Sequence, residues 1–520
     1  MNYLCLFSEI LIALTGLFSI TQYFHMLQQN SYYNSRYCKW LFETGYKKII
    51  LNLVSLVILT VLFVFKLFII TIILSMIYLI FTVFISVMKQ KTAIKPIVFT
   101  ARIKRMYFSY FILLAVFAVL SNTVSYLFNY ILLVLSFVTT FVSMLIILIN
   151  TPIESIIKKY YINDAKKILR NNKNLKIIGI TGSYGKTSTK YILARILQEK
   201  YNVLYTPGSY NTTLGVVRTI REMLKPSHEI FICEMGAKNT GDIKQICDIV
   251  QPDCAIITSI GPQHLETFKT IDNIINTKFE LADAVKRKNG TVYLNFDNEF
   301  IKSKAENYNF VSYSANEGQL KISDIKGSAF GYSFSIEYKN QKFELNTKLL
   351  GMHNVLNIAG AVAVAIDLGV SIKQIKFAVD KLSAVEHRLE LKPFIKGSLL
   401  IDDAYNSNPC GSNESLNVLN RFENYRKILV TPGMVELGDI EYDENYKLGK
   451  KAAELDFEIV LVGKERTKAL ADGIKSVNSF DLNKMLIVSS FKEAMVHLNK
   501  VVDNNCVVLF ENDLPDNYSK

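Results

Sequence analysis

The chain has 520 residues, half of them apolar, and 59 lysines and arginines outnumber 46 aspartates and glutamates, so the formal net charge is +13. This length exceeds what one hydrophobic core usually organises, which predicts two or three domains and excludes a small disulfide-stapled or a disordered protein. The basic excess lies in the first third: residues 1–176 hold 18 basic and 4 acidic side chains, and residues 177–520 hold 41 and 42. The charge therefore predicts no nucleic-acid partner.

Apolar runs fill the first 150 residues, at about 4–26, 49–65, 67–88, 107–127 and 128–150. Each is long enough to cross a hydrocarbon core of about 30 Å as a helix. Only Lys66 separates the second run from the third, and only a weak polar stretch separates the fourth from the fifth. We expect a transmembrane region of about five helices that acts as an anchor, with four or six spans or a kinked hairpin as alternatives.

Basic residues indicate the orientation of these spans. They cluster in two of the connections, 27–48 and 89–106, as Arg36, Lys39, Lys47, Lys48, Lys89, Lys91, Lys95, Arg102, Lys104 and Arg105. Because basic loops stay on the cytoplasmic side, both connections and everything after residue 150 are expected in the cytoplasm. The prediction is a multi-pass protein of the cytoplasmic (inner) membrane with its N-terminus outside.

A phosphate-binding loop is predicted where the apolar texture ends. A short β-branched strand at 177–180 leads into Gly182, Ser183, Tyr184, Gly185, Lys186, Thr187 and Ser188, and a helical pattern continues through Gln198. Backbone N–H groups and a helix N-terminus face an anion in such a loop, the lysine adds charge, and the threonine hydroxyl can ligate magnesium. The usual spacing has a glycine at position 180, where this chain has Ile180, so the loop is a variant P-loop.

Further motifs follow in order, at residues 210–215, 234–243, 258–266, 278–280, 351–357, 387–390, 402–409 and 433–438. Together with the loop they resemble the Mur ligases, the ATP-dependent amide-forming enzymes of bacterial peptidoglycan precursor synthesis. The last two motifs are most similar to the branch that adds D-alanyl-D-alanine. The resemblance covers about residues 175–515, two thirds of the chain.

The strand pattern predicts an α/β fold for this part of the chain. Short strands alternate with helical stretches, at 177–180, 230–234, 255–259 and 292–295, and then at 399–402, 427–431, 458–462, 485–488 and 507–510. Such alternation is typical of mostly parallel sheets covered by helices. We expect a transmembrane region at 1–150, a linker helix at 151–170, a P-loop-type central ATP-binding domain at 171–386 and a smaller Rossmann-like domain at 387–520.

The resemblance implies an ADP-forming acid–amino-acid ligase of cell wall biogenesis and cell shape. It would add D-alanyl-D-alanine to a UDP-MurNAc-tripeptide through an acyl-phosphate intermediate, with ATP and two magnesium ions as cofactors. Thr187, Glu234 and His264 would hold the metals, and Lys278 would be a carbamate that supports them. Lys186 and Arg388 would stabilise charge on the transferred phosphoryl group.

The remaining matched residues would contact the nucleotide and the two substrates. Asn354 and Asn357 match the adenine-binding motif, with a helix cap at Asn354 as a compatible structural role, and Asp403 matches the residue that binds the ribose. The acceptor loop would be Tyr210, Asn211 and Thr212, and the stretch facing the dipeptide would be Tyr405, Asn406 and Asn408.

Two departures from the family pattern leave alternatives open. Membrane spans replace the usual N-terminal UDP-binding domain, so either the two basic connections hold the diphosphate or the acceptor is already lipid-linked. Thr431-Pro432 replaces a more common Leu-Gly-Asp sequence, which leaves another amine donor open, as in a glutamate-adding or polyglutamate-forming relative. A relative that amidates lipid-linked precursors would need a four-cysteine zinc insert, which is absent from the sequence. A non-catalytic scaffold of a cell-wall complex would lack a catalytic residue, and a transporter would need a polar path through its spans.

Overall fold

The computed structural model describes residues 3–30, 32–42, 46–65, 67–92, 96–125, 127–263, 265–405, 407–435 and 437–512. These residues divide into two compact units, a helical unit at 3–160 and an α/β unit at 161–512. Lys66, Lys95, His264 and Asn406, to which the sequence assigned roles, lie outside the described residues.

The helical unit is built from long apolar helices. They are α1 (Tyr3–Gln29), α2 (Asn34–Trp40), α3 (Tyr46–Val64), α4 (Phe68–Thr92), α5 (Ala101–Thr123), α6 (Phe128–Phe137) and α7 (Thr139–Asn171), the last of which continues into the α/β unit. Among the described residues, segments of α1, α4, α5 and α7 are long and apolar enough to cross a membrane, four rather than the five expected. The predicted linker segment 151–170 is part of α7.

The run at 128–150 is the clearest difference from the expected spans. It is broken at Val138, whose ψ of 33° lies outside the helical range, so that α6 has only 10 residues. Just beyond the break, the hydroxyl groups of Tyr37 and Ser143 both donate to the carbonyl of Thr140. The 10-residue helix α6 and the beginning of the 33-residue helix α7 therefore replace the single predicted helix.

The basic connections are also more helical than expected. Arg36 and Lys39 lie in α2, and Arg102, Lys104 and Arg105 lie in the first turns of α5. Arg105 pairs with Glu154 at 2.7 Å, which ties α5 to α7 within the helical unit.

Polar side chains cross-link the interior of the helical unit. Asn122 of α5 donates to buried Glu9 of α1 at 2.9 Å, and Tyr78 of α4 donates to Asn52 of α3 at 2.6 Å. Such contacts hold apolar helices together where hydrophobic contrast with the surroundings is weak. They also explain why these polar residues lie inside an otherwise apolar bundle.

The central part of the α/β unit is a nine-stranded sheet in the order β2-β3-β1-β4-β5-β6-β7-β8-β9. The strands are β1 (Lys176–Thr181), β2 (Val203–Tyr205), β3 (Ile230–Glu234), β4 (Cys254–Ile257), β5 (Thr291–Asn295), β6 (Phe310–Ser314), β7 (Leu320–Ser328), β8 (Gly331–Tyr338) and β9 (Gln341–Thr347). Pairing is parallel from β2 through β7, and β7, β8 and β9 form antiparallel hairpins.

Helices cover both faces of this sheet. They are α8 (Lys186–Leu197), α9 (Thr213–Met223), α10 (Asp242–Val250), α11 (Leu265–Phe268), α12 (Ile271–Lys286), α13 (Glu299–Lys302), α14 (Met352–Asp367) and α15 (Ile372–Asp380). Ile178 and Ile180 of β1 pack in one buried cluster with α8 and α14, and Ile177 packs in another with α10 and α12. A strand buried on both faces needs a continuous apolar run, which is what β1, β3 and β4 supply.

The C-terminal part of the α/β unit is a six-stranded sheet in the order β10-β11-β15-β12-β13-β14. Its elements are β10 (Glu390–Pro393), β11 (Leu399–Asp403), α16 (Pro409–Asn420), β12 (Arg426–Thr431), α17 (Glu441–Glu454), β13 (Glu458–Val462), α18 (Lys468–Lys475), β14 (Met485–Val488), α19 (Phe491–Val501) and β15 (Cys506–Glu511). Only β10 is antiparallel. The mostly parallel α/β architecture predicted from the sequence is confirmed.

Candidate functional site

The loop between β1 and α8 lies at the carboxyl edge of the central sheet, where ligands bind in open α/β folds. Gly182 has φ of 154° and Gly185 has φ of 80°, values that favour glycine. A Cβ on Gly182 would lie 2.1 Å from Thr258 Oγ1, and one on Gly185 would lie 2.7 Å from Asn357 Oδ1. Both glycines are therefore required by close contacts as well as by backbone conformation.

The loop is fixed by the segment that follows β4. The Ser183 amide donates to the Ser259 carbonyl at 2.6 Å, and the Ser183 hydroxyl donates to the Gly261 carbonyl at 3.0 Å. The Tyr184 amide donates to Ser259 Oγ at 3.3 Å. Two neighbouring strands thus hold the loop in one shape before any ligand arrives, which lowers the cost of binding.

Lys186 begins α8 and folds back over the loop. Its ammonium group donates to the carbonyls of Gly182 at 2.7 Å and Ser183 at 2.8 Å. Burial lowers the pKa of Lys186 to about 8; Arg388 also lowers it, while Glu234 opposes the shift. Two carbonyls are weak partners for a buried cation, so an anionic ligand at the loop would be a better one.

Glu234 ends β3 and is surrounded by donors. Its Oε1 accepts from Thr187 Oγ1 and from Asn211 Nδ2, each at 3.0 Å, and its Oε2 forms an ion pair with Lys190 Nζ at 2.9 Å. Burial alone would raise the pKa of this carboxyl, but Lys190, Asn211 and Lys186 outweigh it and hold the pKa below its usual value. Glu234 is therefore an ionised carboxylate inside the protein.

Sequence reasoning gave no role to Lys190. It follows Lys186 by four residues, so both lysines lie on one face of α8, and that spacing was the available signal. Its partner, however, comes from β3, 44 positions further along the chain, and no local pattern indicates such a contact.

The pair formed by Thr187 and Glu234 fits a magnesium ion. Hard oxygen ligands are what this ion prefers, and it often takes only one or two of them from the protein. The hydroxyl and the ionised carboxylate already lie 3.0 Å apart at the C-terminal edge of the sheet. The third predicted ligand, His264, is outside the described residues.

Lys278 is buried in the middle of α12. Burial and the nearby charge of Lys186 lower its pKa well below the usual value, against the opposing effect of Asp242 and Glu280. Glu280 accepts from the amides of Gly241 and Lys244 at the start of α10. A lysine with a depressed pKa near the loop is an unusual group to bury without a function.

Asn354 and Asn357 lie at the start of α14, one turn apart. The helix begins at Met352 after Gly351, so Asn354 is not its N-cap. Asn357 donates to Asn354 Oδ1 at 3.1 Å and accepts from Thr189 Oγ1 at 3.1 Å. The two amides form one network beneath the phosphate-binding loop.

The C-terminal sheet contributes a second wall to the site. Arg388 lies over the ring of Tyr405 at 4.3 Å, and the Tyr405 hydroxyl bonds the hydroxyl of Ser209 in the central part. Asp403 accepts from the Leu389 amide at 3.2 Å. Burial and the neighbouring Glu511 raise the pKa of Asp403 to about 7.

A groove of about 510 Å³ lies between these walls. Its lining includes Thr187, Ser188, Asn354 and Arg388, which are four of the residues predicted to hold a nucleotide, and Tyr405, which was predicted to face the dipeptide. A groove of this size suits a ligand of several hundred daltons.

Of the predicted substrate residues, Tyr210 is exposed and accepts from Arg218 at 3.0 Å, whereas Asn211 contacts Glu234. Thr212 caps α9 by accepting from the Gly215 amide, and Asn408 caps α16 by accepting from the Gly411 amide. These caps fix the starts of two helices at the edges of the site. Asn406 is outside the described residues.

Comparison with known proteins identifies the family. Residues 180–365 match the family model of the Mur ligase middle domain. The UDP-N-acetylmuramoyl-tripeptide–D-alanyl-D-alanine ligase of Buchnera aphidicola is 32% identical over 328 residues, which are 61% of this chain and 71% of that enzyme.

Solved structures with 28% identity also match. MurF from Acinetobacter baumannii superposes with a TM-score of 0.62 over 70% of this chain and 78% of its own. MurF from Thermotoga maritima, solved in complex with ADP, gives 0.61 over 68% and 80%. Through these matches, the chain belongs to the Mur ligase family, among its MurF relatives.

Proposed function

We propose that this chain is an ATP-dependent, ADP-forming ligase that joins D-alanyl-D-alanine to a UDP-MurNAc-tripeptide. The observation that supports it best is the groove lined by Thr187 and Ser188, at the end of the phosphate-binding loop, and by Arg388 with Tyr405. A carboxylate is a poor electrophile, so the tripeptide carboxylate first attacks the terminal phosphoryl group of ATP, giving an acyl phosphate and ADP. The dipeptide amine then attacks the acyl carbon, and phosphate leaves as the amide bond forms.

Positive charge in the groove serves the phosphoryl transfer. Lys186 exchanges its two loop carbonyls for phosphate oxygens, and Arg388 places its planar fork of donors on the transferred group. Because both groups are held before the substrate arrives, catalysis is chiefly positioning and electrostatic stabilisation.

Magnesium, when bound, neutralises charge on the phosphate oxygens of ATP. Thr187 and Glu234 would hold it, and His264 is proposed for a second ion. The depressed pKa of Lys278 favours the free amine, which is the form that reacts with carbon dioxide, and a carbamate there would add negative charge beside the metals. Incubation with ¹³C-labelled bicarbonate tests this: a carbamate resonance that disappears in Lys278→Ala is expected.

The nucleoside part of ATP is assigned to Asn354, Asn357 and Asp403. The acceptor side is assigned to the turn carrying Tyr210, Asn211 and Thr212, in which Tyr210 is the exposed member. The dipeptide is assigned to Tyr405, Asn406 and Asn408. In this assignment Asn211 and Thr212 keep the turn in place and Tyr210 contacts the substrate.

We further propose that the helical unit lies in the cytoplasmic membrane as a multi-pass anchor, with the α/β unit in the cytoplasm and the N-terminus outside. Apolar side chains exposed along α4 and the basic residues of α2 and α5 support this. A lipid-linked acceptor, and assembly with other cell-wall enzymes, would follow naturally from such an anchor.

The diphosphate of a UDP-linked acceptor could instead be gripped by basic residues of the helical unit. Alanine at Arg36, Lys39, Arg102, Lys104 and Arg105 separates these ideas. If the residues hold the diphosphate, the KM for UDP-MurNAc-tripeptide rises at least tenfold, and an unchanged KM would favour the lipid-linked acceptor.

Product analysis tests the function itself. The purified chain is incubated with ATP, magnesium, UDP-MurNAc-tripeptide and either D-alanyl-D-alanine or single amino acids such as D-alanine and glutamate. The mass of the tripeptide product is expected to increase by one dipeptide residue, with one ADP formed per product. If another amine is consumed in preference to D-alanyl-D-alanine, that amine is the donor and the proposed one is wrong. The inactive control is Lys186→Ala.

A further inference from the structure

Lys190 is the fully buried cation of the site. Its side chain and that of Glu234 are 0% and 1% exposed, and the ion pair between Nζ and Oε2 measures 2.9 Å. The same ammonium group donates to the Gly208 carbonyl at 2.8 Å. Lys190 therefore joins the end of β3 to the turn that follows β2.

The two lysines on this face of α8 have different surroundings. Lys186 contacts only carbonyls of its own loop among the bonds described for it, so it can turn toward a phosphate without breaking an ion pair. Lys190 is fixed by a carboxylate on one side and a carbonyl on the other. One lysine can follow the substrate, and the other is part of the framework.

The contacts of Glu234 divide between its two oxygens. Oε2 faces Lys190, whereas Oε1 faces Thr187 and Asn211. The two oxygens are equivalent, but the carboxylate plane can rotate about its terminal torsion, which is broad. The Lys190 ion pair fixes that plane, because it holds one oxygen on the side away from Thr187 and so leaves the other facing Thr187.

We propose that Lys190 is a positioning residue that holds Glu234 so that its Oε1 oxygen, beside Thr187, faces the magnesium of bound ATP. The proposal rests on the proposed function only in assigning ATP and magnesium to this site. Groups that orient a metal ligand typically change metal affinity or activity by about 10- to 100-fold when removed. Lys190→Met keeps the unbranched shape and most of the length of the side chain while removing its charge and its donors.

The test is the binding of ATP in the absence of acceptor and dipeptide, measured by calorimetry on the full-length chain with excess magnesium and with EDTA. In the wild type, magnesium is expected to tighten ATP binding at least tenfold. Lys190→Met should lose most of that gain, as should Glu234→Gln, while the Kd of Lys190→Met for ATP in EDTA stays within about threefold of the wild type. A purely structural role would weaken binding equally in both conditions.

Lys200→Met is the matched control, because Lys200 also donates to a backbone carbonyl, that of Gly369, but contacts no residue of the site. It should keep the full magnesium gain. Lys190→Gln, with a shorter uncharged donor, should show the same loss as Lys190→Met and serves if the methionine variant does not fold.

Three results overturn the proposal. One is that magnesium tightens ATP binding by the Lys190 variants as much as it does in the wild type, and another is that it does not tighten binding by the wild type at all. The third result is that neither Lys190 variant folds, which would make the residue purely structural. Because no acceptor is present, the outcome is separate from the proposed reaction. A chain that binds ATP as predicted but makes no D-alanyl-D-alanine product defeats the function and leaves the role of Lys190 intact.

Discussion

The helical unit and the α/β unit treat apolar side chains in opposite ways. In α4, Ile69, Ile73 and Ile77 are each more than half exposed, whereas Ile178 and Ile180 of β1 are fully buried. A soluble protein rarely exposes a continuous apolar surface of this kind, so the outside of the helical unit is suited to lipid rather than to water. The two units of one chain therefore place their apolar side chains differently: on the surface in the helical unit and in the core in the α/β unit.

Charge divides in the same way. The basic excess lies within residues 1–176, and the rest of the chain is nearly neutral although it would bind a highly anionic nucleotide. In the α/β unit, charge is used locally, as in the buried ion pair of Lys190 and Glu234 beside the half-buried Lys186 and Arg388. Net charge therefore distinguishes the two parts of the chain and says little about ligand binding in the α/β unit.

The largest effect is expected from a substitution that abolishes most of the reaction and does not alter the helical unit. Lys186→Ala removes the cation that covers the phosphate-binding loop, so kcat/KM for ATP should fall by about 10²- to 10³-fold, a range typical for one lost electrostatic group. Steady-state ADP release measures it, and Lys200→Ala is the control. Retention of more than a tenth of the activity would show that the loop lysine does not contact the phosphates.

Gly182→Ala tests how tightly the loop is packed. Its Cβ would lie 2.1 Å from Thr258 Oγ1 and its φ is positive, so we expect a loss of stability of about 1–3 kcal/mol and at least tenfold weaker ATP binding. Gly438→Ala is the matched control, because Gly438 has φ of 62° but nothing within 4 Å of an added Cβ. Equal losses in the two variants, measured by thermal unfolding and calorimetry, would attribute the effect to backbone conformation alone.

Asp403→Asn should make the α/β unit less sensitive to pH. The pKa of Asp403 is raised to about 7, so the folded state holds a proton that the unfolded state has released above about pH 4. Wild-type stability from this group is thus greatest below pH 4 and is lost as pH rises toward 7. The melting temperature of the variant minus that of the wild type should be about 2–4 °C larger at pH 8 than at pH 5. An equal change at both values would mean that Asp403 is ionised throughout.

The smallest effect is expected in the helical unit. Tyr37→Phe removes a hydroxyl that bonds Ser143 at 3.0 Å and the Thr140 carbonyl at 3.3 Å, which should cost about 0.5–1.5 kcal/mol. The melting temperature in detergent should fall slightly, while the KM for ATP stays unchanged. A change in that KM would show that the two units are energetically linked.

The sequence predicted the strands better than the contacts between them. The strands at 230–234, 458–462 and 485–488 were predicted with the bounds found, because each is a short, mostly apolar run between polar stretches. The antiparallel hairpins of β7, β8 and β9 were missed because their alternating pattern exposes one face. The break at Val138 was missed because hydropathy reports apolar content and not backbone conformation.

In the site, local motifs predicted the loop and failed for partners distant in sequence. Gly182 through Ser188 are contiguous, so their roles could be proposed from spacing. Asn211 was assigned to a substrate, yet its amide holds Glu234, and Lys190 was given no role. Both contacts depend on β1, β2 and β3 being neighbours, which is a property of the sheet order and not of any one segment.

The central claim is that the tripeptide carboxylate is activated by ATP and then captured by D-alanyl-D-alanine. The most direct measurement labels the reacting carboxylate of the tripeptide with ¹⁸O and analyses the phosphate and the product by mass spectrometry. The account predicts one ¹⁸O in the released phosphate and one in the new amide of a D-alanyl-D-alanine product. Phosphate without ¹⁸O, formed alongside the same product, would contradict an acyl phosphate and with it the proposed use of the groove.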